Sequence, residues 1–431
     1  MRVLFLMPRV CWPPQTGLML RNYHLARALS QAAEVTCLSF SDDHKHVSAA
    51  EMNELPPPPE SWSERVELIE RNSGYTPAKL LRGALGSKPV TVLNYTTDKM
   101  KAALAQLLDE KPFDVVQVET STLGDYLPVI RAAKHRPLAV CDWHNIDSEL
   151  MLRYAEKAPW SRRFYANLTA RRIAAFERWT LENYDAHIAC SERDAQQLRE
   201  IAPTARVSVI ENGVDVDYYT DAKLAHAHKL WRGTDSPFRL HSSAFRLLYV
   251  GSMDYHANID AVTQFAREDW PAIHAQRSEL KFTIVGRKPA PEVVALQELA
   301  GVEVTGTVPD VRPFYAEAVA QIVPLRVGSG SRLKILEAMA AGVPVVSTTL
   351  GAEGLSVTDG HDIAIADDAD AMARALFALC DNPEHKGNMA RAARALVTRQ
   401  YDWAALGLAL AQALGSQTSC LQPVAAEVCK K

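Results

Sequence analysis

Short apolar runs recur along the chain, and each is followed by a stretch with apolar residues at helical spacing. In the first half these runs are residues 3–7, 35–40, 115–118, 138–141, 187–190 and 207–210. A run of four to six apolar residues predicts a strand buried on both faces. Alternation of such strands with helices predicts a parallel sheet covered by helices on both sides. The polar segment 217–243 interrupts the pattern, which restarts at Leu247-Leu248-Tyr249-Val250-Gly251 and continues through 282–285, 302–304, 321–324, 343–347 and 362–366. The expectation is an α/β chain of two Rossmann-like, doubly wound domains, 1–216 and 244–400, joined by a linker at 217–243. Residues 417–431 form a frayed, flexible tail. Such sheets bind ligands at the carboxyl ends of their strands, so two facing domains would hold a ligand between them.

Between residues 41 and 95 the alternation lapses around Pro56-Pro57-Pro58-Pro59. A loop of that length in a compact domain serves acceptor recognition or is a variable surface insertion. The first apolar run, ended by Pro8 and Arg9, is too short for a signal segment or a membrane span and reads as a buried strand. A length of 431 residues suits two cores. A formal net charge of -4 gives no basis for wholesale nucleic-acid binding. The seven cysteines, at positions 11, 37, 141, 190, 380, 420 and 429, include no CxxC pair, which suits neither a disulfide framework nor a zinc site and points to the cytoplasm.

The richest candidate chemistry is Gly328-Ser329-Gly330-Ser331-Arg332-Leu333-Lys334-Ile335-Leu336-Glu337, between a strand ending near Leu325 and a helix that Gly342 terminates. A loop without bulky side chains lets backbone N–H groups approach an anion, and a helix N-terminus favours negative charge there. Arg332 and Lys334 add full charges suited to a diphosphate. Glu337, one turn on, can accept two hydrogen bonds from vicinal hydroxyls such as those of a ribose. The competing reading is a Lys334–Glu337 surface pair beside a flexible turn. Gly17, in the loop after the first strand, admits a phosphate or sugar close to the backbone, or is a plain turn. None of these loops carries GxGxxG spacing, which argues against a nicotinamide dehydrogenase. His144 follows the run ending Val140-Cys141-Asp142, where an imidazole would face the ligand. His144, Asp142 and Asp147 lack the spacing of a helical metal-ligand pair, so no metal or cofactor is expected. From 153 to 178, Arg153, Lys157, Arg162, Arg163, Arg171, Arg172 and Arg178 interleave with Trp160, Phe164 and Tyr165. That pattern suits either peripheral contact with an anionic membrane or a solvated helix face.

In order along the chain, these residues resemble the retaining glycosyltransferases of the GT-B fold, in particular family 4. The resemblance rests on Pro13-Pro14 to Gly17, Asp142-Trp143-His144-Asn145, Ser191, Glu211-Asn212-Gly213-Val214-Asp215, Tyr249-Val250-Gly251-Ser252, Ile284-Val285-Gly286, Gly306-Thr307-Val308-Pro309-Asp310, and Leu336-Glu337-Ala338-Met339-Ala340-Ala341-Gly342-Val343-Pro344. Tyr401-Asp402-Trp403 resembles the closing helix of that family, placing a helix over 401–416 that crosses back to the first domain. The resemblance implies a nucleotide-sugar donor site that includes Gly17, Gly251, Gly306, Val308, residues 328–331, Arg332, Leu333 and Lys334. Within it, Glu337 would hold the ribose, His144 would contact the donor sugar, and the backbone around Gly306 and Val308 would cradle the base. Three departures stand out. Gly17-Leu18 has one glycine where a pair is common. Ser329 occupies the position of the first glutamate of the E-x7-E motif, and Ser252-Met253-Asp254-Tyr255 follows the strand where basic residues are usual.

The reading is therefore a metal-independent retaining hexosyltransferase, with Arg332 and Lys334 replacing the missing cations and His144 catalytic. Its acceptor is a saccharide or lipid-linked saccharide of bacterial surface-polysaccharide assembly. An inverting transferase, for which Glu119 would be the acceptor-side base, an epimerase, and a silent nucleotide-sugar-binding scaffold are the alternatives.

Overall fold

The computed structural model describes residues 1–14, 16–41, 56–71, 76, 79, 82–83, 86, 88–157, 159–232, 245–327 and 332–421. The chain divides into two units, Met1–Glu211 with Trp403–Lys431, and Asn212–Asp402.

The first unit is built on seven parallel strands: β1 (Arg2–Met7), β2 (Glu34–Ser41), β3 (Arg65–Glu70), β4 (Val115–Glu119), β5 (Leu138–Trp143), β6 (Ala186–Ala189) and β7 (Val207–Val209). Their order in the sheet is β3-β2-β1-β4-β5-β6-β7. Side chains alternate across a strand, so β1 feeds two core layers. Leu4 and Leu6 join Met100, Leu104 and Val118 on one face, while Val3, Phe5 and Met7 join Tyr23, Leu25 and Leu29 on the other. Each side chain buried this way contributes about 1.5–3 kcal/mol. Helix α1 (Gly17–Leu29) and helix α2 (Asp98–Glu110) cover the sheet; Thr16 and Thr97 cap their N-termini through their hydroxyls. Helices α3 (Asp147–Lys157) and α4 (Trp160–Asn183) pack together as a hairpin that begins just after β5.

The second unit has six parallel strands: β8 (Phe245–Val250), β9 (Leu280–Val285), β10 (Val302–Gly306), β11 (Ala318–Val323), β12 (Val345–Ser347) and β13 (Ala364–Ile365). They lie in the order β10-β9-β8-β11-β12-β13. Helices α5 (Asp221–Arg232), α6 (His256–Gln264), α7 (Arg312–Glu317), α8 (Leu333–Ala340), α9 (Ala369–Asp381) and α10 (Pro383–Gln400) surround this sheet. At its carboxyl edge the loops after β8 and β9 nearly touch. A Cβ on Gly286 would stand 1.8 Å from the Gly251 carbonyl oxygen, so only glycine fits there.

Every apolar run read from the sequence is a strand, but three segment expectations are corrected. Residues 41–95 are not one long loop: the edge strand β3 and a short helix at Val90–Tyr95 lie within them. The sequence of β3 alternates charged and apolar residues, which suits an edge strand and breaks the continuous apolar signature. Residues 212–232, expected as the end of the first domain and the start of a linker, belong to the second unit. Val214 N–H donates to Tyr401 O at 2.8 Å, and Val216, Tyr219 and Leu224 enter the second core. Residues 233–243, the rest of the expected linker, lie outside the described residues.

Helix α11 (Trp403–Leu421) returns the chain to the first unit and extends into the expected tail, of which 422–431 lie outside the described residues. Trp403, Leu406, Leu410 and Leu414 are buried in the first unit. Gly407 lets α11 approach α1 closely, because a Cβ there would meet that of Ala28 at 2.3 Å.

Candidate active site

Parallel register brings the ends of β4 and β5 together, with Glu119 opposite Asp142. Two carboxylates side by side in a dry sheet end would repel, and α1 supplies the compensation. Arg21 lies on the buried stripe of α1 and forks onto Asp142, with Nε to Oδ2 and Nη2 to Oδ1 both at 3.0 Å. A third nitrogen, Nη1, donates to the Glu211 carbonyl at 3.0 Å. Arg21 and Asp142 are 1% and 0% exposed, so each depends on the other for its charge. Burial works against the Arg21 cation, but Asp142 outweighs it and holds the guanidinium above its ordinary range.

Glu119 has its own partners. His144 Nε2 lies 2.7 Å from Oε2, Gln117 Nε2 donates to Oε1 at 2.8 Å, and the Asn22 amide nitrogen donates to Oε2 at 2.9 Å. Burial and the adjacent Asp142 raise the Glu119 carboxyl above its usual range, opposed by the bond to His144. Nε2 is thus the ring nitrogen of His144 that Glu119 holds. Thr120, next in the chain, holds φ at 78° and ψ at 145°, while its N–H donates to Asp142 O at 2.9 Å. A threonine in that region costs about 1–3 kcal/mol, the kind of strain retained where function needs a particular turn. Beyond it opens a cavity of about 280 Å³, lined by Arg9, Thr120, Thr122, His144, Asn145 and Asp147 among others.

Glu119, Asp142 and His144 place one ligand-type atom each within 4.8 Å of one another. As a donor set for a cation they fit poorly. Both Asp142 oxygens are engaged by Arg21, and Glu119 is already bonded by three side chains.

The second unit carries the other cluster, at the start of α8. Lys334 Nζ turns back to the end of β8, donating to Tyr249 Oη at 2.7 Å and to Asn258 Oδ1 at 2.6 Å, and lies 4.4 Å from the centre of the Tyr249 ring. Asn258, on α6, is itself held by Tyr249 Oη (2.8 Å) and by the Ser252 carbonyl (2.9 Å). Burial lowers the Lys334 ammonium to about 7, helped by nearby Arg332 and opposed by Glu337. Burial likewise raises Glu337 to about 7, opposed by Lys334. The Tyr219 and Tyr315 phenols beside Glu337 are driven up, first by burial and then by its charge. Arg332, 6% exposed, donates to Leu350 O at 2.8 Å and lies 3.7 Å from Glu353. Arg287, just after β9, donates to the Ser252 hydroxyl at 2.8 Å, putting a guanidinium where the sequence after β8 lacks one.

Of the residues proposed from sequence, Arg332, Leu333, Lys334 and Glu337 stand together around the first turn of α8, and Gly251 ends the strand that Lys334 reaches. Gly306, with φ 70°, ends β10, and Val308 packs against the second core. Gly17 is the first residue of α1. Gly328, Ser329, Gly330 and Ser331 lie outside the described residues. Lys334 takes Tyr249 and Asn258 as its partners in place of the i,i+3 pair with Glu337. Glu119, expected on the acceptor side, is 1% exposed and bonded to His144. Sequence reasoning missed Arg21, Asn22, Tyr249 and Asn258. One signal was available, because Arg21 and Asn22 fall at i,i+3 and i,i+4 from Leu18 on an otherwise apolar helix face.

Comparison with known proteins meets this geometry from both ends. Residues 17–218 match the family described as "Glycosyltransferase Family 4", and residues 244–382 match "Glycosyl transferases group 1". The chain is 24% identical over 303 residues to glycogen synthase of Mycobacterium tuberculosis, covering 64% of this chain and 65% of that protein, just under two thirds of its length. It is 26% identical over 279 residues to the lipopolysaccharide core biosynthesis mannosyltransferase LpcC of Rhizobium leguminosarum bv. viciae, covering 63% and 76% of the two chains. Sucrose-phosphate synthase from Thermosynechococcus elongatus shares the fold, with a TM-score of 0.66 at 18% identity over 97% of this chain and 100% of that one. With two parallel-sheet Rossmann-like units and both halves matched in order, the chain belongs to the GT-B glycosyltransferases of the family 4 type.

Proposed function

We propose that this protein transfers a hexose from a nucleoside-diphosphate donor to a saccharide or lipid-linked saccharide acceptor, with retention and without a metal. The observation that carries this reading is the Lys334 cluster. A buried ammonium is held at the start of α8 by two neutral partners, with Arg332 beside it and the Glu337 carboxylate one turn on. A diphosphate would give Lys334, whose hydrogen-bond partners are neutral, a direct counter-charge, with Arg332 beside it, while Glu337 accepts from the ribose hydroxyls.

In the proposed reaction the anomeric carbon–phosphate oxygen bond breaks and the bond from the acceptor oxygen to the anomeric carbon forms on the same face. The departing phosphate oxygen takes the acceptor's proton. Lys334 and Arg332 stabilise the charge that develops on the diphosphate, and fixed charges of this kind supply several kcal/mol in comparable sites. His144, oriented by Glu119, binds a hydroxyl of the transferred sugar. The engagement of Asp142 by Arg21 and of Glu119 by His144 supports a reaction that uses no metal. The relatives' names fit as well: LpcC is by name a mannosyltransferase, and mannose is a hexose.

A second reading has one observation behind it. A histidine backed by a buried carboxylate at a cavity is also the arrangement of a general base, which an inverting transfer would use on the acceptor. The anomeric configuration of the product, read by NMR, separates the two.

Thermal shift against a panel of nucleoside diphosphates and nucleotide sugars in EDTA tests the donor site. One nucleotide family is expected to raise the melting temperature, and Glu337→Ala is expected to abolish most of that shift. If no nucleotide stabilises the folded protein, the donor assignment fails and a scaffold role replaces it.

A further inference from the structure

Among the described residues, half of the large apolar side chains that stand exposed fall within sixteen positions. Leu150, Leu152 and Tyr154 lie on α3, and Trp160, Phe164 and Tyr165 lie on the first turns of α4. Trp160 is 88% exposed and Phe164 is 79% exposed, values unusual for residues that each bury a large area when they find a partner. Helix spacing explains why these side chains stay outside. Ala166, Ala170, Ile173 and Glu177 form the inward stripe of α4, whereas Trp160, Phe164 and Arg171 recur on the opposite side of the same helix.

The base of the hairpin is firmly held. Ser148 donates to the buried Glu177 through both its backbone N–H (3.2 Å) and its hydroxyl, and Glu149 pairs with Arg153 and with Arg193. An apolar cluster on a rigid support marks an interaction surface.

Charge selects the occupant. From Lys157 to Phe176 the sequence holds Lys157, Arg162, Arg163, Arg171 and Arg172 and no acidic residue. A second copy of the same tip would be repelled by its own sign. An anionic lipid surface is attracted, and it offers a boundary where indole, phenol and phenyl rings sit beside guanidinium groups. We propose that the tip of the α3–α4 hairpin is a docking surface for an anionic bilayer. No helix among the described residues is long and apolar enough to cross a membrane, so the contact is one of lying on the surface. Helix α3 begins at Asp147, which with His144 and Asn145 lines the cavity of the first unit. Docking at the tip would therefore hold the cavity, at the base of the hairpin, about 16 Å above the membrane surface. This extension rests on the lipid-linked acceptor of the proposed function.

Co-sedimentation of the full chain with vesicles of phosphatidylcholine and phosphatidylglycerol in equal parts, and with phosphatidylcholine alone, tests the proposal. The wild type is expected to partition onto the mixed vesicles and not onto phosphatidylcholine alone. Trp160→Ser/Phe164→Ser and Arg162→Glu/Arg163→Glu are each expected to lower partitioning about tenfold or more at low salt. Both variants should keep the wild-type melting temperature, since the altered side chains face solvent.

Equal partitioning of variants and wild type, or a wild type that ignores the mixed vesicles, overturns the proposal. So does a dimer on gel filtration that Trp160→Ser/Phe164→Ser converts to monomer, which would make the patch an interface between copies. The nucleotide thermal shift distinguishes the two readings. Vesicle binding without a nucleotide shift defeats the donor site alone, and a nucleotide shift without vesicle binding defeats the docking surface alone.

Discussion

Both clusters bury charge, but they keep it in opposite ways. In the first cluster Arg21 is forked on Asp142 and Glu119 is bonded to His144, so each of these buried groups has an ionic or ionisable partner. In the second, Lys334 is held by a phenol and an amide, with a like charge on Arg332 nearby, and both Lys334 and Glu337 sit near neutrality. Burial favours the neutral form, and a fixed counter-ion or hydrogen bonds to the charged form oppose that pressure. The first cluster is thus a permanent electrostatic frame. In the second, the hydrogen-bond partners of Lys334 are neutral, and under the proposed function an anionic ligand supplies its counter-charge.

The contrast predicts its largest effect at Arg21. Arg21→Met leaves Asp142 buried without a counter-ion and is expected to cost about 3–5 kcal/mol in denaturant unfolding, with Arg21→Met/Asp142→Leu recovering most of it. A single-variant loss well below that range would mean the first cluster is no more dependent on its partners than the second.

Lys334→Met should behave in the opposite manner. Removing a desolvated ammonium with neutral partners is expected to leave the melting temperature unchanged or raised, while turnover falls about 10²–10³-fold, as for loss of one preorganised charge contact. A destabilised protein with normal turnover would reverse the assignment of roles.

The smallest effect is in protons. Lys334 is depressed to about 7 in the folded chain, so between that pH and its ordinary 10.5 the unfolded chain binds more protons, and this group's contribution to stability grows as pH rises through that window. Glu337 works the other way. Its folded value of about 7 lies above the ordinary 4.5, so stability falls as pH rises between them. The two together place a shallow minimum near pH 7. A bound diphosphate restores the Lys334 proton, so titration calorimetry at pH 8 in buffers of different ionisation enthalpy should detect uptake of up to about one proton, lost in Lys334→Met. Equal uptake in the variant would move the titrating group elsewhere.

Much of the scaffold was legible from local pattern. The apolar runs located all strands except β3, whose alternating edge sequence lacks a continuous apolar run. The pattern failed at the domain boundary because polarity marks exposure, not membership. Helix α5 is polar on its outer face yet buries Leu224 and Ala227, with Leu224 in the second core. In the site, the sequence pointed to Lys334, Glu337 and His144 as chemically loaded residues in strand-end positions, and all three lie beside other buried polar groups. The bond from Glu119 to His144 was not legible, because residue type and position cannot say whether a carboxylate faces a cavity or a neighbouring histidine.

What the sequence determined by itself was everything that depends on spacing along the chain: the strand and helix periods, the caps, and the glycine that ends α8. Those follow from side-chain burial and backbone geometry within a few residues. Only the tertiary structure decided the partners, because they are set by parallel register and helix placement across long separations. Arg21 meets Asp142 across 121 residues, and Lys334 meets Tyr249 and Asn258 across 85 and 76. Whether a buried charge meets an ionic or a neutral partner is decided at those distances, and that is where the two clusters differ.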